Sequence, residues 1–192
     1  MLIDIHTRAE ADLSYIREAM ARAEGFSAVS GWGIVGMGIV ALLTGALASQ
    51  ATHITQQLIY WLFAAPMAAT LGIAGSIWKS RQRGAQPLKD PAQRFLLCLL
   101  PPAGIAAVFT HTLWLLDLTD LLPSLWLMCY GCGVLAAGTY AARPVALMGG
   151  TFLACGLITM TLPVGWLNAV MTLSFGMAHL VFGWQVVKHH GG

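Results

Sequence analysis

Charged residues are scarce in this 192-residue chain, and their scarcity excludes an ordinary water-soluble domain. Asp, Glu, Lys and Arg together make up 9% of the sequence, whereas a soluble domain carries roughly 25%. The hydrophobic share is 57% and the mean hydropathy is +0.71. A chain of this composition cannot cover a water-facing surface, so we predict an integral membrane protein.

Polar segments long enough to form a separate domain are also lacking. The first apolar run begins only at Gly31, so no cleavable signal peptide is expected. The longest link between apolar runs, Lys79 to Arg94, is too short to build a core of its own. What is present is a series of six apolar stretches, each near the roughly 20 residues that a helical span requires.

The expected fold class is all-α: an integral membrane six-helix bundle over residues 31–192, preceded by an amphipathic cytoplasmic helix and linker over residues 1–30. Because the links are short, consecutive helices should be antiparallel neighbours. The predicted spans are Trp32–Ser49, Leu58–Trp78, Phe95–Leu116, Leu122–Ala142, Pro144–Leu162 and Gly165–Val187.

The ten lysines and arginines all fall on one side of a six-span topology, and none falls on the other. The basic side carries Arg8, Arg17, Arg22, Lys79, Arg81, Arg83, Lys89, Arg94, Arg143 and Lys188, whereas Asp117, Asp120 and His53 lie opposite. Cytoplasmic loops are enriched in basic residues. Both termini are therefore predicted to be cytoplasmic.

The segment from about Asp4 to Glu24 has helical periodicity. Its apolar stripe consists of Ile5, Ala9, Leu13, Ile16, Met20 and Ala23. The polar face is slightly acidic, whereas a helix held on anionic lipid usually has a basic face. Contact with protein is therefore favoured over contact with lipid. Ile5, Leu13, Ile16 and Met20 are predicted to bind a membrane or cytoplasmic partner, a second copy of the chain or its own bundle.

Ionisable Asp, Glu, Lys and Arg side chains are absent from the interior of every predicted span. Pumps and ion-coupled transporters usually need such groups within the membrane, so their absence argues against a carboxylate-driven antiporter. A facilitator for a small neutral solute is left open, with a polar cavity formed by Thr110, His111 and Asn168 near the helix-interrupting Pro66 and Pro101–Pro102.

His111 and His179 are the two histidines within predicted spans. Helical rise offsets them in depth by on the order of 10 Å, so they are poor candidates to clamp one haem iron together. Either one with another partner is a possible ligand for haem, a chlorin or a metal. The alternative is a neutral imidazole bonded to a nearby carbonyl or hydroxyl, and no cofactor is the main expectation.

Cys129 and Cys132 form a Cys-x-x-Cys pattern within a predicted span. Sulfurs at this spacing share a helix face, which would suit a soft metal such as Cu(I). A second ligand pair is missing, so packing by small residues is the favoured interpretation. Four glycines open the first span, and Ala41, Gly45 and Ser49 follow at four-residue steps, which likewise predicts close helix approach in the membrane.

Two patches resemble a family of small bacterial inner-membrane proteins without assigned function. The C-terminal patch is the run from Phe175 to Gly183, followed by Lys188-His189-His190-Gly191-Gly192. The N-terminal patch is Tyr15-Ile16-Arg17-Glu18-Ala19-Met20, followed by Gly31-Trp32-Gly33. The resemblance implies a bacterial cytoplasmic membrane protein and carries over no catalytic residue.

Three functions follow as hypotheses from these observations. The first is a non-catalytic accessory subunit or sensing partner, the second a facilitator or channel for a small neutral solute, and the third a haem- or pigment-binding subunit that uses His111 or His179. No nucleophile–base pair or phosphate-binding loop supports an enzyme, and nothing indicates a nucleic-acid partner. A weak similarity between Gly36–Ala41 and Gly131–Ala136 adds the hypothesis of an inverted repeat.

Overall fold

The structure is a computed structural model that describes residues 12–13, 15–16, 29–82 and 91–190, without the side chains of residues 91, 92 and 190. The described residues are almost entirely helical. Six main helices follow one another: α1 Gly31–Ala48, α2 Ile54–Gln82, α3 Pro91–Leu115, α4 Leu122–Ala137, α5 Arg143–Thr159, and α6 over residues 167–190. Short 3-10 segments, Thr119–Leu121, Gly138–Tyr140 and Val164–Trp166, lie between some of them.

The all-helical prediction is confirmed for the described residues, and five helices are long and apolar enough to cross a membrane. The remaining helix, α5, is also apolar but has 17 residues. Helix α2 is longer than predicted, with 29 residues, and α4 is shorter because the chain tightens into a 3-10 turn at Gly138–Tyr140. Helices α2 and α3 continue through Pro66 and through Pro101–Pro102.

Little of the predicted N-terminal helix is described. Asp12, Leu13, Tyr15 and Ile16 are helical, whereas Ile5 and Met20 lie outside the described residues. Leu13 is 55% exposed and Ile16 is 50% exposed. The two described members of the predicted partner-binding stripe are therefore not covered by the described part of the bundle.

The helices form an incomplete ring in the order α2, α1, α6, α5, α4 and α3. Helix α1 packs along both α2 and α6, α5 packs along both α4 and α6, and α3 packs along α4. Within the described residues, α2 and α3 share no extended contact. Only 17% of the apolar window of α2 and 11% of that of α3 is buried, against 50% for α1. The ring is thus open between α2 and α3.

Glycines allow the closest helix contacts in this ring. A Cβ atom on Gly38 would lie 2.9 Å from the Gly176 carbonyl oxygen of α6, and one on Gly33 would lie 3.3 Å from the Gly72 carbonyl oxygen of α2. At the α4–α5 contact, a Cβ on Gly131 would lie 2.7 Å from the Leu153 nitrogen. The small-residue stripe in the first span therefore does bring helix backbones together, as predicted.

The pairing of helices also bears on the hypothesis of an inverted repeat. Exchanging the first three helices with the last three turns the α1–α2 contact into α4–α5, and the α1–α6 contact into α4–α3, and all four contacts are present. The same exchange turns the α5–α6 contact into α2–α3, where the ring is open. Any ring of six helices arranged in chain order would show this correspondence, so the inverted repeat stays a prediction.

Two of the basic residues, Lys79 and Arg94, make contacts between helix ends at what we call the basic end of the bundle. The Lys79 ammonium donates to the Val29 carbonyl oxygen at 3.3 Å, and the Arg94 guanidinium lies 5.8 Å from the centre of the Tyr140 ring. Trp32 and Trp184 meet edge to face at the same end, with ring centres 6.2 Å apart. These contacts join the ends of α1, α2 and α6 to one another, and the start of α3 to the turn after α4.

Helix α3 ends at what we call the opposite end in a left-handed cap. Asp117 has a φ of 56°, and the neighbouring Leu118 amide donates to the Leu113 carbonyl oxygen at 2.9 Å while the Asp117 amide donates to that of Trp114. This is the Schellman arrangement, in which glycine is the usual left-handed residue. The turn directs the chain into Thr119–Leu121, which contacts α2 and helps to close the opposite end.

Candidate functional site

The open side of the ring leads into a cavity of about 660 Å³. Helices α2 and α3 form its two sides, and α1, α4, α5 and α6 form its back. Many side chains on the two sides, including Leu62, Ile73 and Leu100, are also exposed at the surface of the bundle. Because α2 and α3 do not meet, the cavity reaches the surface between them.

The cavity is elongated along the bundle axis. On α2 its lining extends from Leu58 to Ser76, and on α3 from Phe95 to Thr110. At 1.5 Å per residue these stretches correspond to roughly 27 Å and 22 Å. None of the described residues that line the cavity is Asp, Glu, Lys or Arg. Its shape and lining suit a long, uncharged, apolar molecule.

Two hydrogen-bonded pairs mark the opposite end of the cavity. The Trp61 indole N–H donates to the Asn168 side-chain oxygen at 2.9 Å, and the Asn168 amide in turn donates to the Gly45 carbonyl oxygen at 3.1 Å. Asn168 thereby joins α6 to α1 and α2. Across the cavity, the Trp126 indole donates to the Thr110 hydroxyl at 2.9 Å, which joins α4 to α3.

Helix α6 changes its winding beside the middle of the cavity. Residues Leu167–Met171 are α-helical, Thr172–Ala178 form a π-helical segment, and the α-helix resumes over His179–His190. The His179 backbone amide donates to the Gly176 carbonyl oxygen. The Phe175 carbonyl oxygen instead accepts a hydrogen bond from the His179 ring nitrogen Nδ1 at 2.6 Å. A π-helical turn of this kind is often found at a functional site.

The same contact fixes the tautomer of His179. A carbonyl oxygen only accepts, so Nδ1 carries the hydrogen, and a neutral imidazole then has an unprotonated Nε2. Nε2 lies 2.8 Å from the Tyr130 hydroxyl oxygen. The Tyr130 hydroxyl therefore donates to His179, and both ring nitrogens are occupied within the protein.

Aromatic rings hold this pair in place. Tyr130 meets Phe152 edge to face, with ring centres 4.9 Å apart, and Phe175 lies 5.3 Å from Tyr130 and stacks on His179 at 6.1 Å. Phe152 is completely buried and His179 is 2% exposed. Packing on several sides leaves the Tyr130–His179 pair few alternative orientations, which pre-organises it at the cavity wall.

The predicted polar cavity of Thr110, His111 and Asn168 is only partly assembled. Thr110 lines the cavity, and Asn168 lies behind its wall as the partner of Trp61. His179 lines the cavity, whereas His111 is exposed and does not line it. Haem or chlorin binding by His179 would require the Tyr130 bond to break, and haem or chlorin binding by His111 would occur at the outer surface of α3.

The Cys129–Cys132 pair lies away from the cavity. Cys129 is half-buried and Cys132 is exposed, and both are free thiols. Among the described residues, no cluster of three or more His, Cys, Asp or Glu side chains is arranged to hold a metal ion. A metal on these two sulfurs would need further ligands from elsewhere.

Sequence reasoning missed Tyr130, Trp61 and Trp126 as site residues. Tyr130 directly follows Cys129 and was not considered, although a tyrosine deep within an apolar span usually has a hydrogen-bonding partner. That expectation could have indicated a pair with a buried histidine. Tryptophans near span ends are typical of the membrane interface, but the indoles of Trp61 and Trp126 also bond to Asn168 and Thr110.

Comparison with known proteins does not assign the site. No protein-family model, curated protein or solved structure matches this chain. The features that indicate a function are therefore the cavity and its chemistry.

Proposed function

We propose that this chain is a six-span protein of the bacterial cytoplasmic membrane, with both termini in the cytoplasm, that binds an uncharged lipophilic molecule taken up sideways from the bilayer. The observation that carries the proposal is the elongated cavity of about 660 Å³ between α2 and α3, whose described lining residues carry no charge. A volume of several hundred Å³ is typical of small-molecule sites. An opening towards lipid gives an apolar molecule direct access without passage through water.

The proposed topology rests on the one-sided distribution of basic residues and on their contacts at the basic end. It can be tested with single cysteines in a background in which the four native cysteines are alanine. A membrane-impermeant maleimide applied to intact cells should label His53→Cys and leave Arg143→Cys unlabelled until the cells are opened. Labelling of Arg143→Cys in intact cells would contradict the orientation.

Filling the cavity tests the ligand-binding proposal directly. Ala69 lines the cavity on α2, whereas the exposed Ala74 on the same helix does not. Ala69→Phe should therefore displace the ligand, and Ala74→Phe should have no effect. Binding of a fluorescent linear polyene hydrocarbon can be followed by energy transfer from tryptophan, because Trp61 and Trp126 line the cavity.

The wild type and the control variant Ala74→Phe should both show saturable energy transfer. The affinity of Ala69→Phe for the probe should be at least tenfold lower. Equal affinities for the three proteins would place the probe in bulk lipid or detergent and would contradict the proposal. Folding is checked by size-exclusion elution and thermal unfolding of each variant.

A second proposal, the role of accessory subunit or sensing partner, is favoured by the exposed helical residues Leu13 and Ile16. These apolar side chains belong to the predicted partner-binding stripe. Replacing both by serine should abolish co-purification of a membrane or cytoplasmic protein, or self-association, whereas Asp12→Asn should leave it unchanged. Retained association in the double variant would remove this role from the helix.

The facilitator and cofactor hypotheses have less support from the geometry. A channel for a polar solute benefits from free polar groups along its path, but the polar hydrogens at the cavity wall are used within the protein, as for Thr110, Trp126 and Tyr130. Solute uptake into proteoliposomes above background would favour a facilitator. A visible absorbance band that co-elutes with the chain would favour a haem or chlorin carrier.

A further inference from the structure

We infer that the molecule bound in the cavity carries a hydroxyl group, which donates its hydrogen to the oxygen of Tyr130. This inference rests on the proposed function and specifies the chemistry of the ligand. It follows from an inventory of the hydrogen-bonding groups at the cavity wall and from the position of the Tyr130–His179 pair.

Six side chains at the cavity wall carry a polar hydrogen, and each hydrogen is already used. They are Trp61, Ser76, Thr110, Trp126, Tyr130 and His179. The Ser76 hydroxyl donates to the Gly72 carbonyl oxygen at 2.8 Å, and the Thr110 hydroxyl donates to that of Ala106 at 2.7 Å. The two indoles, Tyr130 and His179 donate as described above. The described part of the wall therefore offers a ligand no free side-chain donor.

The hydroxyl oxygens at the wall differ in whether they already accept a hydrogen bond. The Ser76 oxygen already accepts from the Ser30 amide at 3.3 Å, and the Thr110 oxygen accepts from Trp126. Within the described part of the chain, no donor reaches the Tyr130 oxygen, which only donates, to His179. A hydroxyl oxygen has two lone pairs, and among the described lining residues Tyr130 carries the one hydroxyl that accepts no hydrogen bond.

A cavity wall that offers an acceptor but no free donor should favour uncharged lipophilic molecules that can donate a hydrogen bond. An alcohol can donate to Tyr130 while the Tyr130–His179 bond stays intact. A ketone, ester or quinone presents only acceptors. To accept a hydrogen bond from Tyr130 it would have to break the Tyr130–His179 bond, which would leave the His179 nitrogen unpaired. A charged headgroup would find no opposite charge among the lining residues and would lose its hydration.

The position of the pair adds a constraint on shape. Tyr130 is about 12 Å from the start of α4, and His179 about 18 Å from the start of α6. The cavity continues on both sides of the pair, towards Leu58 at one end and Ser76 at the other. The hydroxyl should therefore lie within the length of the molecule, with apolar parts extending in either direction.

Three probes with one carbon skeleton test this inference on the wild-type protein. They are a linear secondary alcohol with its hydroxyl at the middle of the chain, the ketone at the same carbon, and the parent alkane. Each competes with the fluorescent polyene for the cavity. The alcohol should bind about 2- to 10-fold more tightly than the ketone, the range expected for one neutral hydrogen bond.

Two variants distinguish a recognition role of the pair from a packing role. Tyr130→Phe removes the hydroxyl but leaves the His179 nitrogen as an acceptor, so preference for the alcohol should be retained. His179→Leu frees the Tyr130 hydroxyl to donate, so the ketone should gain affinity and the preference should vanish or reverse. A general loss of packing would weaken all three probes equally in both variants.

The outcomes separate this inference from the proposed function. If all three probes bind with equal affinity, the cavity is a lipophilic site without hydroxyl recognition, and the inference is overturned while the proposed function stands. If none displaces the polyene, the proposed function is itself contradicted. If His179→Leu does not fold, the alcohol-to-ketone ratio of the wild type decides alone.

Discussion

Adjacent glycines on α5 provide a strong test of how α4 and α5 pack. A Cβ atom on Gly149 would meet the Leu135 backbone nitrogen and would lie 2.7 Å from the Leu135 Cα. A Cβ on Gly150 would meet nothing within 4 Å. Both residues lie inside the same helix, Arg143–Thr159, so alanine has the same intrinsic advantage over glycine at either position.

The two alanine variants should therefore change stability in opposite directions. Gly150→Ala should stabilise the protein by about 0.5–1 kcal/mol, because glycine in a helix interior is worse than alanine by this amount. Gly149→Ala gains the same helix propensity, but its methyl group must push the backbones of α4 and α5 apart. Overpacking typically costs about 1–3 kcal/mol, and here the opposing atoms are backbone that cannot rotate away, so we expect a net loss of about 1–2 kcal/mol.

Reversible unfolding in mixed micelles, followed by tryptophan fluorescence, measures this difference. The free energy of unfolding should be about 1.5–3 kcal/mol lower for Gly149→Ala than for Gly150→Ala, as the sum of the loss and the gain above. Equal stabilities, or a more stable Gly149→Ala, would refute the close approach of α4 and α5. Gly104→Ala on α3, where a Cβ also meets nothing within 4 Å, is a second stabilising control.

Two further predictions concern the opposite end of the bundle. Asp117→Gly should raise the free energy of unfolding by about 0.5–1 kcal/mol, because glycine adopts the left-handed cap without strain; an unchanged or lower value would argue against the positive φ. Asn168→Ala should lower it by about 2–4 kcal/mol, since the Trp61 indole and the Gly45 carbonyl lose their partner. Trp61→Phe should then cost less in the Asn168→Ala background than in the wild type, and a double-mutant cycle with no coupling would contradict the bond.

The helices were predictable because length and hydropathy determine where a chain can enter a membrane. The predicted start of the first span, Trp32, differs by one residue from the observed Gly31, and that of the fourth, Leu122, agrees. The end of α4 was placed too late because Gly138–Tyr140 is as apolar as the helix before it, and hydropathy does not distinguish an α-helix from a 3-10 turn. The close contacts of the glycines in α1 were also predictable from their spacing.

The cavity was less predictable, because a membrane helix is apolar on the face towards lipid and on the face towards protein. Hydropathy therefore could not show that Thr110 faces the cavity while its neighbour His111 is exposed. The Tyr130–His179 bond joins residues far apart in the chain, and the π-helical turn beside it has no composition signal. The absence of an extended α2–α3 contact likewise depends on packing. The prolines of both helices indicate a possible cavity but do not show which helices separate.

The central claim, that the cavity holds one uncharged lipophilic molecule, is tested most directly by native mass spectrometry of the protein released from its own membrane. We expect a species heavier than the 20.5 kDa chain by one neutral adduct, which is lost in Ala69→Phe and retained in Ala74→Phe. An adduct-free chain, or the same adducts in the wild type and both variants, would contradict it.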